Sequence, residues 1–284
     1  MKTLPVIAEA KTQQPLILQK ETSFVGGFNY TLAPYTGCEY GCSYCYVPHV
    51  LKGLPQKRGG WGNYVDLRSQ CVAFVQRQAA KLEHMSIFLA ATTDPYQPQE
   101  AQARLTRRLL EALADIPFAF LLISTRSGLI LRDLDILTDS RMRSRVEVGL
   151  SIPSDIPEVH ADLEPRTAKF AGRFTVLRRL RAAGIATRVH AAPLGRHTPG
   201  FLDLAGDCAD WLWIDGAGHG ARRKEAGAKW LYTYSEALHV AEQASSLLGA
   251  ERVGYGRDRF AWRWNGSMIV PPAGQKDMQV PSCS

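Results

Sequence analysis

With 284 residues, 45% of them hydrophobic and 21% charged, the sequence can bury one large core or two modest ones, and it contains no low-complexity tract. No run approaches the roughly 18–20 uninterrupted apolar residues that span a bilayer, and residues 1–5 lack the apolar core of a secretory signal, so neither a membrane span nor secretion is expected and the cytoplasm is the expected location. The formal net charge of +7, with basic runs at Arg104/Arg107/Arg108, Arg178/Arg179/Arg181 and Arg222/Arg223/Lys224, suits a polyanionic partner such as nucleic acid as well as it suits solvated helix faces.

Residues 1–25 are polar and punctuated by proline, and read as an irregular arm. Gly26-Gly27 leads into Phe28-Asn29-Tyr30-Thr31-Leu32, a strand expected to enter the segment around Cys38, and 52–62 reads as a Gly-rich basic surface loop. Helix-like spacing over 65–82 precedes the apolar run 86–91, and helical 100–114 precedes the strand 118–123. A short helix at 131–137, a strand at 146–151 and a helix at 168–183 follow, the last ending at Gly184, where a left-handed cap is expected. Strands at 187–191 and 211–214, a helix at 235–248 with Ser235 as N-cap, and a short strand at 251–255 complete the alternation.

Apolar runs of about six residues separated by helices are the pattern of a parallel sheet covered on both faces. The reading is α/β: an incomplete (β/α)6 TIM-like barrel forming one domain over 1–284, with a short N-terminal arm (1–25), a barrel core (26–216) and a C-terminal helix and tail (217–284). Chemistry in such barrels collects at the C-terminal strand ends, where Thr92-Thr93-Asp94, Ser124-Thr125-Arg126-Ser127 and Ser151 fall.

Of six cysteines, Cys38, Cys42 and Cys45 lie within eight residues, in Gly37-Cys38-Glu39-Tyr40-Gly41-Cys42-Ser43-Tyr44-Cys45-Tyr46. A disulfide framework spreads its cysteines along a secreted chain; a tight cluster points to metal. Soft thiolates select iron–sulfur or zinc, structural zinc wants four protein ligands, and this loop offers three. Three thiolates on a four-iron cube leave one iron open, and a chelating small molecule can bind there. Gly37 and Gly41 permit the backbone angles such a turn needs. The alternatives are a zinc- or cluster-bearing, non-catalytic nucleic-acid-binding module, with Cys71, Cys208, Cys283 or His49 as a fourth ligand, and a redox thiol pair at Cys42 and Cys45.

The Cys-x3-Cys-x2-Cys spacing followed by an aromatic resembles the signature of the radical S-adenosylmethionine (SAM) superfamily. Asn29-Tyr30-Thr31, the run from Pro34 to Tyr46, Thr93-Asp94-Pro95-Tyr96-Gln97-Pro98 and Glu164-Pro165-Arg166 look like its spore photoproduct lyase-related branch, which is DNA repair photolyase-like; the likeness covers roughly 28–195. The resemblance implies a [4Fe–4S] cluster held by Cys38, Cys42 and Cys45, whose open iron binds S-adenosylmethionine through its amine and carboxylate. Reductive cleavage would give methionine and a 5′-deoxyadenosyl radical that takes hydrogen from a nucleic-acid, nucleotide or peptide substrate, with flavodoxin or ferredoxin as electron donor. It further implies that Tyr46 lies against the adenine, Thr93 near the amino group, Arg126 on the carboxylate and Ser151 near the ribose. One departure stands out: the cysteine that returns hydrogen in spore photoproduct lyases falls at Ala91 here, which argues against strict thymine-dimer repair.

Other residues carry ordinary readings beside functional ones. Cys71 and Cys208 read as buried thiols, and Cys283 as an exposed thiol of the terminus. Asp94 orients the cluster loop or caps the helix near Glu100. Glu164 and Arg166 serve the ribose side of the cofactor or form a salt bridge, and His190 is a core or a catalytic histidine. Tyr255, Phe260, Trp262 and Trp264, interleaved with Arg257, Arg259 and Arg263, suit base stacking or a lid over the barrel's open side.

Overall fold

The apolar runs assemble side by side. The computed structural model describes residues 5–11, 16–18, 27–51, 53–89, 91–217, 228–256 and 259–271; the expectations for Gly26, Lys52, Arg222/Arg223/Lys224, Arg257 and Cys283 lie outside these residues. Strands run in chain order as β1 (Val6–Glu9), β2 (Leu16–Leu18), β3 (Tyr30–Leu32), β4 (Tyr35–Gly37), β5 (Tyr64–Leu67), β6 (Ser86–Leu89), β7 (Phe120–Thr125), β8 (Val146–Ser151), β9 (Ala186–Ala191), β10 (Trp211–Ile214), β11 (Val253–Tyr255), β12 (Arg263–Trp264) and β13 (Ile269–Val270). The main sheet has the order β11-β10-β9-β8-β7-β6-β3-β2. Each neighbouring pair is parallel except β2 with β3. The expected incomplete barrel is therefore present: seven parallel strands are added in sequence order, and the edge strands β2 and β11 do not meet. The seventh, β11, adds to the six expected units from beyond residue 216.

A second sheet, β1-β5-β4, stands beside the first. It corrects two expectations. Residues 6–9 pair in parallel with β5 instead of forming an irregular arm, and residues 64–67 are a strand, with the helices Cys71–Arg77 and Ala79–Leu82 only after it. It also changes how the chain enters the cysteine loop, which follows β4 of this small sheet and not β3.

Alternation along each buried strand sends its two sets of side chains to different partners. One set, including Ile87, Leu121, Ile123, Val148, Leu150, Val189 and Leu212, joins the helices Leu105–Ala114, Phe170–Ala182 and Phe201–Cys208 in the larger core. The other set, including Phe88, Phe120, Leu122, Trp211 and Trp213, packs with Phe28 and with Phe260, Ala261 and Ile269 of the C-terminal segment. Phe260 sits 4.7 Å from Trp213 and 5.1 Å from Phe88, centroid to centroid. Phe260, Trp262 and Trp264 thus cover the inner face, as a lid would, whereas Tyr255 packs against the larger core; Phe260 is buried and takes no part in an exposed stacking surface. No helix among the described residues is long and apolar enough to cross a membrane.

Candidate metal and cofactor site

The cysteine loop leaves β4 through Gly37, whose φ of +87° is left-handed, and a Cβ there would lie 2.4 Å from the Tyr64 carbonyl oxygen. Gly41 (φ +56°) faces Gly62, where an added Cβ would come within 3.0 Å of the Gly62 Cα. Between these points the loop is tied down at both ends of its span. The Glu39 amide donates to Gln97 Oε1 (2.9 Å), the Glu39 carboxylate accepts from the Gln99 amide (2.6 Å), and the Tyr40 hydroxyl donates to the Tyr96 carbonyl (3.1 Å). The Ser43 amide donates to the Leu163 carbonyl (3.0 Å), and the Cys45 amide closes a turn on the Cys42 carbonyl (3.1 Å).

Cys38 and Cys42 are buried and Cys45 is half-buried. Burial pushes the Cys38 thiol up to about 12 and the Cys42 thiol well above its ordinary value, although Arg126 pulls the latter back. Such thiols stay neutral unless a cation balances them, and ligated iron supplies that charge as the protons leave. Among the described residues no three His, Cys, Asp or Glu side chains converge on one metal-ion position. A cube asks for something else, one thiolate per iron. The donor set, the glycine-shaped loop and the low-dielectric surroundings fit that group.

The expected cofactor residues gather around this loop at the C-terminal ends of consecutive strands. Thr93, beyond β6, donates its hydroxyl to the Gly37 carbonyl (2.6 Å) and accepts from Gln97 Nε2 (3.0 Å). Tyr46, at the loop's end, donates its hydroxyl to the Ala91 carbonyl (2.5 Å). Asp94 is buried and accepts from the Thr125 hydroxyl (2.6 Å), the Arg126 amide (2.8 Å) and the Tyr96 amide (2.9 Å). Asp94 therefore fastens the end of β7 to the segment after β6, and no side chain caps the helix Glu100–Ala103. Ser151, at the end of β8, is buried and joins the network through its carbonyl, which accepts from Arg173 Nη1 (2.5 Å).

Glu164 is the hub. Its carboxylate accepts from the Tyr44 hydroxyl and pairs with both Arg173 and Arg126, the latter at 3.1 Å, while Arg126 Nη2 also donates to Tyr44 (2.8 Å). Burial alone would raise its pKa; the two guanidiniums outweigh burial and hold it at about 2. Two arginines share this carboxylate, buried Asp94 also acts on Arg126, and the Arg126 side chain remains 21% exposed. Arg166 does not share in this. It donates to the Gly62 carbonyl (2.6 Å), which buttresses the segment facing Gly41.

Arg173 escaped the sequence reading although a signal was there. Phe170, Phe174 and Leu177 form the buried stripe of its helix, and Arg173 falls inside that stripe, fully buried. A cation in an apolar stripe implies a buried anion. Cys71 and Cys208 are fully buried in the larger core, as ordinary thiols would be, and burial pushes Cys71 up to about 11. His190 is buried on the inner face with Nδ1 3.0 Å from Ser124 Oγ, and burial, reinforced by Arg188 and Arg126, keeps its ring neutral.

Residues 32–199 match the family model described as the Radical SAM superfamily. An uncharacterized protein of Methanocaldococcus jannaschii is 29% identical over 198 residues, 70% of each chain. An uncharacterized protein of Mycobacterium tuberculosis is 28% identical over 172 residues, 59% of this chain, which spans about half the length of that relative. Among solved structures, a spore photoproduct lyase variant with bound S-adenosylmethionine and dinucleoside spore photoproduct superposes with a TM-score of 0.57 at 17% identity, covering 88% of this chain and 81% of that one. Streptococcus suis SuiB bound to S-adenosylmethionine gives 0.56 at 12% identity, covering 89% and 50%.

Proposed function

Because the chain belongs to the radical SAM superfamily, and is therefore an enzyme whose cofactors are a [4Fe–4S] cluster and S-adenosylmethionine, we propose that Cys38, Cys42 and Cys45 hold the cluster and that residues 1–284 work as one radical SAM unit. A cluster bound by these three cysteines would supply, when reduced, the electron for cleavage of the S-adenosylmethionine sulfonium to methionine and a 5′-deoxyadenosyl radical. One observation carries the assignment: the three cysteines share a loop that two left-handed glycines shape and that the strand-end residues Thr93 and Arg126 hold at Gly37 and Tyr44.

The chain's own residues then divide the cofactor among them. Arg126 gives one edge to Glu164 and Tyr44, and its exposed remainder suits the methionyl carboxylate, which an arginine receives in a charge-assisted pairing. Thr93 bridges the loop carbonyl at Gly37 and the amino-group side, so loop and ligand are positioned by one hydroxyl. Tyr46 presents its ring to the adenine while Ala91 holds its hydroxyl, and Ser151 stands on the ribose side.

Net charge +7 favours a polyanionic substrate, nucleic acid before nucleotide or peptide, and the neighbour that carries a dinucleoside supports that order. Ala91 supplies no thiol, so hydrogen return by the route of the lyases is not part of the proposal. A flavodoxin- or ferredoxin-type donor would supply the electron. Anaerobic reconstitution is expected to load about four irons per chain and, after reduction, to release 5′-deoxyadenosine. Alanine at any of the three cysteines should abolish both; iron retained at full level in Cys42→Ala would sink the ligand assignment.

A further inference from the structure

A cleft of about 510 Å3 opens at the N-terminal ends of β7, β8 and β9, at the opposite end of the strands from Thr93, Arg126 and Ser151. Its walls come from residues 143–147, which lead into and begin β8, from the turn that joins the helix Phe170–Ala182 to β9, and from the β12–β13 hairpin. Arg143, Arg145, Arg181 and Arg263 line it, against two carboxylates, Glu147 and Asp210.

Both carboxylates are already engaged. Glu147 pairs with buried Arg188 at 2.7 Å, and Asp210 pairs with Arg181 at 3.1 Å while accepting from the Thr187 amide and hydroxyl. The other three guanidiniums are held differently, by main-chain carbonyls. Arg143 Nε donates to Gly184 (3.2 Å), Arg145 Nη1 to Ile116 and Phe118 (2.9 and 3.1 Å), and Arg263 Nη1 to Ala119 (3.4 Å). Among the described residues none of these three pairs with a carboxylate. Neutral acceptors fix the forks in place and leave their charge uncompensated, which is the arrangement of a preorganised anion site.

Three unpaired charges call for a multiply charged ligand, and planar guanidinium forks match phosphate oxygens. The remaining lining is apolar: Phe120, Val146 and Ile185 are almost wholly buried, and the half-buried ring of Trp264 stands at the edge. Of these, Trp264 is the ring exposed enough to accept a heterocycle by stacking. The volume falls inside the range of small-ligand sites, about 300–1,000 Å3. We propose that this arginine cleft is a second ligand site that binds the phosphates of a nucleotide, with its base against Trp264. The site is independent of the cluster assignment, because no residue of the cysteine loop or its supports lines it.

Full-length reconstituted protein, with S-adenosylmethionine in excess to occupy its own site, should bind ADP once per chain in a calorimetric titration. Arg143→Gln combined with Arg263→Gln should weaken that binding about a hundredfold, since each of the two lost charge-assisted bonds is worth about a factor of ten. The lysine pair at the same positions should recover part of it, and 5′-deoxyadenosine release should be unchanged in both variants. No binding of ADP at millimolar concentration, or equal affinity in the glutamine variant, would overturn the site. Inorganic pyrophosphate binding as tightly as ADP, or a single-stranded oligonucleotide binding where ADP does not, would overturn the nucleotide.

Discussion

A methyl group at residue 37 would overlap the carbonyl and ring of Tyr64, and the backbone there has a φ that L-residues adopt at a cost of about 1–2 kcal/mol. Gly37→Ala must therefore move either β5 or the start of the cysteine loop. The expected outcome is a lower thermal midpoint together with reduced iron per chain after reconstitution; wild-type iron content would show that the loop tolerates the shift. Glu164 carries a different dependence. Its carboxyl lies below the ordinary 4.5, at about 2, so its contribution is present above pH 4.5 and is lost as pH falls through that interval. Glu164→Gln leaves buried Arg173 and Arg126 facing a neutral amide and should cost about 3–5 kcal/mol at pH 7. It should also remove the dip in thermal midpoint between pH 4.5 and 2, so an unchanged dip in the variant would assign it to another group. The left-handed turns at Gly37 and Gly41 could be read from the sequence, because a glycine-shaped loop is a local object. Arg173 with Glu164 could not be paired that way, because their contact depends on how a helix lies against the loop before it.

At the scale of elements, the strands that could be read are those buried on both faces, since their apolar runs need no context. Residues 64–67, Tyr-Val-Asp-Leu, mix a buried carboxylate into the run. They became a strand because β1 and β4 flank them and Arg58 meets Asp66 at 2.7 Å. The expected helix 100–114 divides at Arg104, which takes a left-handed φ of +51° and starts a new helix at Leu105. Nothing in the local pattern of apolar residues announces that break. The cap of the long C-terminal helix also moved. Thr233, two residues before the expected Ser235, accepts from the Glu236 amide while Glu236 accepts from the Thr233 amide, a complete capping box. Thr233→Ala should then cost about 1 kcal/mol, and Ser235→Ala much less. Denaturant unfolding of the two variants tests the assignment, and equal losses would refute it.

At the scale of the whole molecule, an ion pair ties the sheet to the segment that covers it. Glu147 on β8 and Arg188 on β9 meet at 2.7 Å with almost no exposure, beneath the C-terminal residues. The Trp211 indole donates to Glu147 (3.0 Å), as does the Trp264 amide (2.9 Å), and Arg188 donates to the Phe260 carbonyl (2.8 Å) while lying 4.6 Å over the Trp211 ring. Burial lowers Arg188 to about 10 and raises Glu147, and in each case the charge of the partner works against burial. Breaking such a pair from one side strands a buried charge and costs about 3–5 kcal/mol, whereas replacing both partners with apolar groups is often nearly neutral. Arg188→Met alone should therefore lower stability by that amount and open the segment after residue 256 to protease. Glu147→Leu with Arg188→Met should recover most of the stability, but not the hold on Phe260 and Trp264, since the side chains that bond their main-chain carbonyl and amide are gone. Limited proteolysis beside denaturant unfolding separates the two effects. Protease resistance in the double variant would mean that the aromatic contacts of Phe260 alone keep the inner face covered, and the ion pair would then have no part in closing it.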